Sequence, residues 1–221
     1  MNDNALTQLV HITAEAVTLE GMLALPEGTP GVVLFAHGSG SSRHSPRNTF
    51  VAQMLQRAGL GTLLMDLLSK EEDVSYETRF DISLLAERLM AATQWLRAQP
   101  STMDLSLGYF GASTGAAAAL QAAAKLGPVI KAVVSRGGRP DLAWAALRRV
   151  QAPTLFIVGG RDDVVIELNQ RAYAELRAEK QLVIIPGATH LFEEPGALSE
   201  VARLAAAWFS RYLQAGQAPD R

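Results

Sequence analysis

Residues 105–126 read LSLGYF-GASTG-AAAALQAAAKL, and this stretch decides the fold. The apolar run 105–110 predicts a buried strand, and the alanine-rich run 116–126 predicts a helix. Between them, residues 111–115 match G-x-S-x-G, a sharp turn that presents a serine above the end of a strand. Small residues are needed there because larger side chains would clash in the turn. The stretch therefore predicts a strand, a tight turn and a helix, with Ser113 at the edge of a sheet.

The rest of the chain alternates short apolar runs with amphipathic segments, which is typical of a mostly parallel α/β sheet with helices on both faces. The predicted strands are 9–12, 17–25, 32–36, 61–65, 105–110, 130–135, 154–158 and 182–185, and the predicted helices are 49–58, 81–98, 116–126, 142–150, 166–178 and 198–213. We therefore predict a single domain over residues 1–221, with a twisted sheet of about 7–8 strands and no large lid domain. The polar tail 214–221 is expected to be frayed.

Composition argues against several classes of function. The chain has 221 residues, 48% of them hydrophobic, and its 20 basic and 22 acidic residues give a net charge of −2. This balance provides no general attraction to nucleic acid or to an anionic membrane. Because there is no cysteine, a cysteine nucleophile, a disulfide and a thiolate metal site are excluded. We expect no metal, no organic cofactor and, because no signal peptide or membrane-spanning run is seen, a cytoplasmic location.

Ser113, Asp162 and His190 each follow a predicted strand, in the order nucleophile, acid, base that one fold places at successive strand ends. A serine hydroxyl is a poor nucleophile at neutral pH, so it needs a base to take its proton and an acid to orient that base. The spacings of 49 and 28 residues leave room for the intervening strands and helices. We therefore predict that these three residues form a catalytic triad.

Two members of this triad have alternative interpretations. Asp162 could instead cap the helix predicted over 166–178 or stabilise a turn, and Asp163 or Asp141 would then be the acid. His190 could be an ordinary loop histidine, although the other three histidines do not fit the required order. A position just beyond the C-terminal end of a strand favours Asp162, and the matching place one strand later, together with the chain order, favours His190.

The loop after the third predicted strand reads HGSGSS over residues 37–42, and its small residues let backbone N–H groups point at a developing oxyanion. We predict that the N–H of Ser39 or Gly40 forms an oxyanion hole with the N–H of Thr114, which lies at a helix N-terminus. His37 is expected to form a hydrogen bond within its own loop. The loop could instead hold a phosphate, but it lacks both G-x-G-x-x-G and a Lys-Ser/Thr ending.

Four short motifs follow predicted strands: HGSG at 37–40, GASTG at 111–115, GGRD at 159–162 and GATH at 187–190. Together they resemble the α/β-hydrolase fold and, within it, the dienelactone-hydrolase-like family of small lidless hydrolases. The resemblance covers nearly the whole chain and implies the same triad and oxyanion hole, without a cofactor. This sequence departs from the family pattern at the nucleophile, because dienelactone hydrolases proper use cysteine. The resemblance therefore implies a serine carboxylesterase that acts on small esters or lactones.

Arginines are frequent in the loops at the edge where the nucleophile is expected: Arg43, Arg79, Arg136, Arg139 and Arg161. Arginine suits carboxylate recognition because its planar fork contacts both oxygens. We therefore predict that Arg136 and Arg139 bind an anionic ester or lactone. The alternative is that these arginines pair with nearby acidic residues.

The charged segment 66–80 is the longest connection, and connections of this length are usually functional or mobile. We predict a partial flap whose Tyr76 and Phe80 line the acyl pocket, with a plain solvated loop as the alternative. Trp144 could serve a dimer contact or the pocket wall, so a monomer and a homodimer both stay open.

Other functions fit the same pattern. An acyltransferase, a perhydrolase or a thioesterase could use the same triad, and a binding module could keep the fold without catalysis. The expected partner in each enzymatic case is a small molecule, chiefly an ester or a lactone, rather than nucleic acid or a membrane.

Overall fold

A computed structural model describes residues 7–214 and contains an eight-stranded sheet. The strands are β1 (Thr7–Ala14), β2 (Val17–Ala24), β3 (Gly31–Ala36), β4 (Gly61–Met65), β5 (Ser106–Ala112), β6 (Ile130–Arg136), β7 (Thr154–Gly159) and β8 (Lys180–Ile185). Their order is β1-β2-β4-β3-β5-β6-β7-β8, in which β2 is antiparallel to both of its neighbours and the remaining pairs are parallel. The predicted α/β fold is confirmed.

Helices cover both faces of the sheet. The α-helices are α1 (Pro46–Arg57), α2 (Tyr76–Phe80), α3 (Ile82–Ala98), α4 (Thr114–Leu126), α5 (Asp163–Glu175) and α6 (Ala197–Tyr212), and short 3-10 helices span Glu72–Val74, Gly127–Val129 and Pro140–Arg149. Helices α3, α4 and α5 lie on one face, and α1 and α6 lie on the other. Across residues 7–214, no helix is both long and apolar enough to cross a bilayer.

The central strands are apolar without interruption because both of their faces are buried. On β5, Leu107 and Tyr109 join the core beneath α3 and α4, whereas Phe110 joins the core beneath α1 and α6. The same alternation holds on β3, where Leu34 faces the first core and Phe35 the second. This packing fixes the sheet, so the loops at the C-terminal ends of its parallel strands can carry the site.

Two segments differ from the sequence predictions. The α-helix predicted over 142–150 is instead the 3-10 helix Pro140–Arg149, which is interrupted at Ala143, where φ is −118° and ψ is 24°. A single α-helix does not form there because the backbone leaves helical geometry after the first turn. The predicted loop 66–80 contains the 3-10 helix Glu72–Val74 and α2. Of the tail predicted to be frayed, residues 215–221 lie outside the described residues.

Candidate active site

Ser113 joins β5 to α4 in a backbone conformation that is rare for a residue with a side chain, with φ at 51° and ψ at −120°. Its N–H donates to the carbonyl of Arg136 at 3.2 Å, and its own carbonyl accepts from the N–H groups of Ala116 and Arg139, both at 3.1 Å. Strain of this kind persists only where the surroundings fix it, and it is frequent at functional sites. The structure thus contains the sharp turn that GASTG predicts.

The small residues of this turn are required by close backbone packing. A Cβ atom on Gly115 would lie 2.1 Å from the carbonyl oxygen of Ala36, and one on Gly111 would lie 2.4 Å from Cα of Ala116. A Cβ atom on Gly38 would come within 3.1 Å of the Cβ of Ser113. Glycine at these positions therefore lets α4 start directly against the end of β3, with the loop after β3 beside Ser113.

His190 and Asp162 lie on neighbouring loops and are joined by a hydrogen bond. The Nδ1–H of His190 donates to Oδ2 of Asp162 at 2.6 Å. The loops themselves are tied together, since the N–H of Arg161 donates to the carbonyl of Ala188 at 2.9 Å. With Nδ1 as the donor, Nε2 of the neutral imidazole is left as a proton acceptor. The pair therefore has the arrangement of a base held by an acid.

The His190 ring lies beside the backbone that holds the serine. A Cβ atom on Gly137 would be 3.4 Å from both Cε1 and Nδ1 of His190, and Gly137 directly follows Arg136, whose carbonyl binds the Ser113 N–H. Among the described residues, the Ser113 hydroxyl and His190 share no hydrogen bond. Catalytic hydrogen bonds of this kind often tighten only when substrate is bound. The structure thus brings the three predicted residues to one edge of the sheet.

The two alternative acids lie in different surroundings. Asp141 accepts two hydrogen bonds from Arg139, at 2.9 and 2.8 Å. Asp163 is the first residue of α5. Asp162 precedes it at the N-cap position, but its side chain does not cap the helix and instead accepts from His190. Of the three aspartates, the geometry thus favours Asp162 as the partner of the imidazole.

The loop after β3 lies against the start of α4. The N–H of Ser39 donates to the hydroxyl of Thr114 at 2.9 Å, so it already has an acceptor. Thr114 is the first residue of α4, and N–H groups in a first turn have no acceptor within the helix. The φ of Gly40 is 70°, which lies in the left-handed region that glycine adopts more easily than other residues. All three residues predicted for the oxyanion hole thus belong to adjoining segments, and the Thr114 hydroxyl contact is a feature that the sequence did not predict.

His37 connects this loop to the loop after β4. Its Nε2 accepts from the N–H of Leu67 at 3.1 Å, so Nδ1 carries the proton and donates to the carbonyl of Gly38 at 3.0 Å. Burial lowers the pKa of His37, while the contact with Gly38 opposes that shift. His37 is therefore a neutral residue that holds two loops together, and its predicted bond within the loop is one of two that it makes.

The five arginines divide into paired and unpaired groups. Arg43 binds Asp66 and Glu20, Arg79 binds Asp73 at 3.0 Å, and Arg139 binds Asp141, as described above. Arg161 is exposed. Arg136 is buried, and its Nε and Nη1 atoms have no hydrogen-bond partner in residues 7–214. Pairing with acidic residues thus accounts for three of the five. The binding of an anionic substrate by Arg136 or Arg139 stays a prediction.

The segment 66–80 lies against the loop after β3. A small pocket between them is lined by residues of both segments and by Leu85 of α3. The lining residues of the two segments are His37, Gly38, Ser39, Gly40, Leu68, Asp73 and Arg79. Tyr76 is 73% exposed, and its ring packs on that of Phe80 with the ring centroids 4.5 Å apart. A role for Tyr76 in binding substrate stays a prediction.

Two features that support the site, a hydrogen bond and a backbone conformation, were not predicted from the sequence. Glu194 accepts the N–H of Thr189 at 3.1 Å, which fixes the residue before His190. The hydroxyl of Thr189, and secondarily this N–H, lower the pKa of Glu194. Phe192 is buried in a left-handed conformation, with φ at 57°. Neither has a local sequence signal, because each depends on how the chain folds back after His190. Within residues 7–214, no cluster of three or more His, Asp or Glu side chains could hold a metal ion.

The profile of the dienelactone hydrolase family matches residues 19–215 and therefore includes the whole site. The chain belongs to the dienelactone hydrolase family. A crystal structure of a dienelactone hydrolase from Anabaena variabilis ATCC 29413 has a TM-score of 0.92 to this family member and 57% sequence identity, covering 94% of this chain and 98% of that one. The family that the four motifs resemble is confirmed. Membership in this family supports the interpretation of the protein as a hydrolase.

Other relatives of this dienelactone hydrolase family protein are much longer or have a lower sequence identity. A Mycobacterium tuberculosis protein named "putative phosphoribosyl transferase" is 58% identical over 204 residues, which are 92% of this chain but 46% of that protein. The chain thus spans about half the length of these curated relatives. Est1E from Butyrivibrio proteoclasticus shares the fold, with a TM-score of 0.79, 15% identity and coverage of 92% and 98% of the two chains.

Proposed function

We propose that this protein is a serine hydrolase that cleaves small carboxylic esters or lactones through an acyl-enzyme on Ser113. The observation that carries the proposal is the 2.6 Å hydrogen bond from Nδ1 of His190 to Oδ2 of Asp162, at the sheet edge where Ser113 occupies its strained turn. An acid-held imidazole beside a serine on such a turn is the arrangement that acyl transfer requires.

The first half of the reaction forms the acyl-enzyme. The Ser113 hydroxyl oxygen attacks the carbonyl carbon while Nε2 of His190 takes its proton, and Asp162 stabilises the resulting imidazolium. The carbonyl oxygen becomes an oxyanion, which the N–H of Thr114 and an N–H of the loop after β3 stabilise. One such donor lowers the activation barrier by roughly 2.7–4 kcal/mol. As the tetrahedral intermediate collapses, the imidazolium gives its proton to the leaving alkoxide.

The loop donor needs a rearrangement if it is Ser39, because its N–H is bonded to the Thr114 hydroxyl. A small rotation of the threonine side chain would release it, and the N–H of Gly40 is the alternative donor. In the second half of the reaction, water loses a proton to His190 and attacks the acyl carbon. The acid product leaves, and the Ser113 hydroxyl is restored.

The test compares wild type with Ser113→Ala on a panel of short p-nitrophenyl esters and on labelling by a fluorophosphonate probe. We expect wild type to be labelled at Ser113 and to cleave the esters. The variant should lose labelling and roughly 10⁴-fold or more of its turnover. Ser83→Ala is the matched control, because that serine lies on α3 and its hydroxyl accepts from Gln121, in the middle of α4 rather than at the turn. Equal activity of Ser113→Ala and wild type would contradict the proposal.

Product analysis separates hydrolysis from the other reactions that the same triad permits. An acyltransferase would pass the acyl group to an added alcohol, a perhydrolase would pass it to hydrogen peroxide, and a thioesterase would prefer thioester substrates. We propose ester hydrolysis as the principal reaction. The transferase named for the mycobacterial relative belongs to a protein of which this chain matches 46%, so it is not extended to this chain.

A further inference from the structure

The turn that carries His190 is largely exposed. Of residues 191–196, only Phe192 is buried, and the His190 side chain itself is 38% exposed. Among residues 7–214, the backbone of His190 makes no hydrogen bond, and its ring is bonded only to Asp162. One hydrogen bond leaves the ring able to tilt about it, so the direction of Nε2 depends on how the backbone on either side is held.

Two hydrogen bonds fix the residue that precedes His190. The carbonyl of Thr189 accepts the N–H of Phe192 at 3.2 Å, and the N–H of Thr189 donates to Oε2 of Glu194 at 3.1 Å. The bond to Glu194 spans five residues and therefore closes a loop around the histidine. Phe192 secures the buried side of this loop, and Glu194 secures its half-exposed side.

Glu194 is itself held by the start of helix α6. Its carbonyl accepts the N–H of Ala197, the first residue of α6, at 3.0 Å. The Thr189 hydroxyl, and next the Thr189 N–H, lower the pKa of Glu194, so its side chain is ionised at neutral pH. An ionised acceptor forms a stronger hydrogen bond than a neutral one. Contacts thus run from α6 through Glu194 and Thr189 to His190.

The neighbouring acid, Glu193, has a different role in the structure. Its side chain is 64% exposed and binds Arg47 of α1 at 3.1 Å. Exposed ion pairs of this kind contribute little to stability. Of the two adjacent glutamates, one therefore binds a helix at the surface and the other binds the backbone beside the proposed base.

We propose that Glu194 is a positioning residue for the reaction on Ser113. By holding the backbone of Thr189, its carboxylate keeps the imidazole of His190 bonded to Asp162 and beside the turn that carries the serine. This inference rests on the proposed function for the identity of the reaction, but the position of the imidazole can be measured without catalysis.

The kinetic test measures hydrolysis of a neutral short p-nitrophenyl ester by Glu194→Ala, per active site titrated with a fluorophosphonate. We expect kcat to fall on the order of tenfold to a hundredfold, because misplacing a catalytic group by about 1 Å costs roughly 10²-fold. KM should change little, since Glu194 is not proposed to contact the ester. A Glu194→Ala protein with a lower Tm but wild-type kcat per active site would overturn the proposal, because its role would then be structural only.

Two conservative variants separate position from charge. Glu194→Gln keeps the length of the side chain and an oxygen that accepts the Thr189 N–H, so it should recover most of kcat. Glu194→Asp keeps the charge but is one methylene shorter, so it should lose about as much as Glu194→Ala. The reverse order would assign the effect to charge and overturn the positioning role. Because both variants keep a polar side chain, this comparison stands even where Glu194→Ala does not fold.

Glu193→Ala is the matched control, because it removes an acid from the same turn without removing the bond to Thr189. It should keep nearly all of kcat. An equal loss in Glu193→Ala and Glu194→Ala would overturn the proposal.

A spectroscopic measurement distinguishes failure of this inference from failure of the proposed function. The Nδ1 proton of His190 lies in a short hydrogen bond to a carboxylate and should resonate far downfield of the amide protons. Its signal is assigned by its absence from His190→Gln. We expect the signal to broaden or vanish in Glu194→Ala, and to persist in Glu193→Ala and Glu194→Gln.

The outcomes of that measurement are separable. Loss of the signal from Glu194→Ala, in a protein that cleaves no ester, would support the positioning role and reject the hydrolase. An unchanged signal in Glu194→Ala, together with wild-type kcat, would reject the positioning role and leave the hydrolase in place.

Discussion

Asp162 shows how the environment of one residue selects it among three candidates of the same type. It occupies the N-cap position of α5, where an aspartate often accepts helix N–H groups, but its carboxylate accepts from His190 instead. Asp141 is held by two hydrogen bonds from Arg139. Side-chain direction, rather than sequence position, therefore makes Asp162 the candidate acid.

Asp162→Asn should lower kcat for ester hydrolysis by roughly 10³–10⁴-fold, because an amide does not stabilise the imidazolium and permits the wrong tautomer of His190. The measurement is steady-state hydrolysis of a short p-nitrophenyl ester. Asp141→Asn is the matched control and should keep nearly all activity. A larger loss in Asp141→Asn than in Asp162→Asn would reverse the assignment.

At the scale of elements, one buried ion pair fixes the segment 66–80 to the body of the protein. Arg88 of α3 donates to Glu72 at 2.8 Å and to the last residue of β1, Ala14, at 2.6 Å. The second carboxylate oxygen of Glu72 accepts the N–H of Ser69 at 2.9 Å. The segment 66–80, which was predicted to be a partial flap, is thus held to α3 and β1 through Glu72. Helix α2 follows Glu72 in the chain.

Glu72→Ala should lower the free energy of unfolding by about 1–3 kcal/mol, because it leaves the Arg88 guanidinium buried with one partner fewer. Urea unfolding followed by circular dichroism measures the change. The neighbouring Glu71→Ala is the matched control and should leave the midpoint unchanged, since Glu71 is exposed. Adding Arg88→Met to Glu72→Ala should recover stability. The absence of any recovery would contradict the account of an unpaired charge.

At the scale of the whole molecule, hydrogen bonds between neighbouring strand ends hold the site together. His37 joins the loops after β3 and β4, and Arg161 with Ala188 joins the loops after β7 and β8. The site therefore depends on the register of the entire parallel sheet. It also depends on the protonation of His37, which is neutral in this arrangement.

The free energy of unfolding should fall as the pH drops below the ordinary histidine pKa of 6.5. Because burial lowers the pKa of His37 in the folded protein, the unfolded chain binds the proton first, and the stabilisation present above pH 6.5 is lost progressively below it. The slope from this one group is at most about 1.4 kcal/mol per pH unit. His37→Gln, whose amide can accept from Leu67 without titrating, should give a flatter profile in urea unfolding between pH 7 and 5. Identical slopes would exclude the effect.

Much of the fold could be predicted from local sequence. The strand, turn and helix around Ser113 follow from apolar periodicity and from glycines that only a close backbone approach requires. Prediction failed for the segment 140–149, which has helical composition although its backbone leaves α-geometry at Ala143. Such a break depends on packing against neighbouring elements, which periodicity does not report.

The sequence by itself determined the α/β fold and the order of the three candidate catalytic residues, because apolar patterning and turn chemistry act over a few neighbouring positions. Four short motifs at strand ends carried the resemblance to the family. Only the tertiary structure decided which aspartate binds His190, and that the Ser39 N–H is bonded to the Thr114 hydroxyl. It alone showed that Arg139 is paired with Asp141, while Nε and Nη1 of Arg136 are buried without a partner in residues 7–214. These contacts join side chains from segments far apart in the chain, so their existence depends on distances that are fixed only when the whole sheet is assembled.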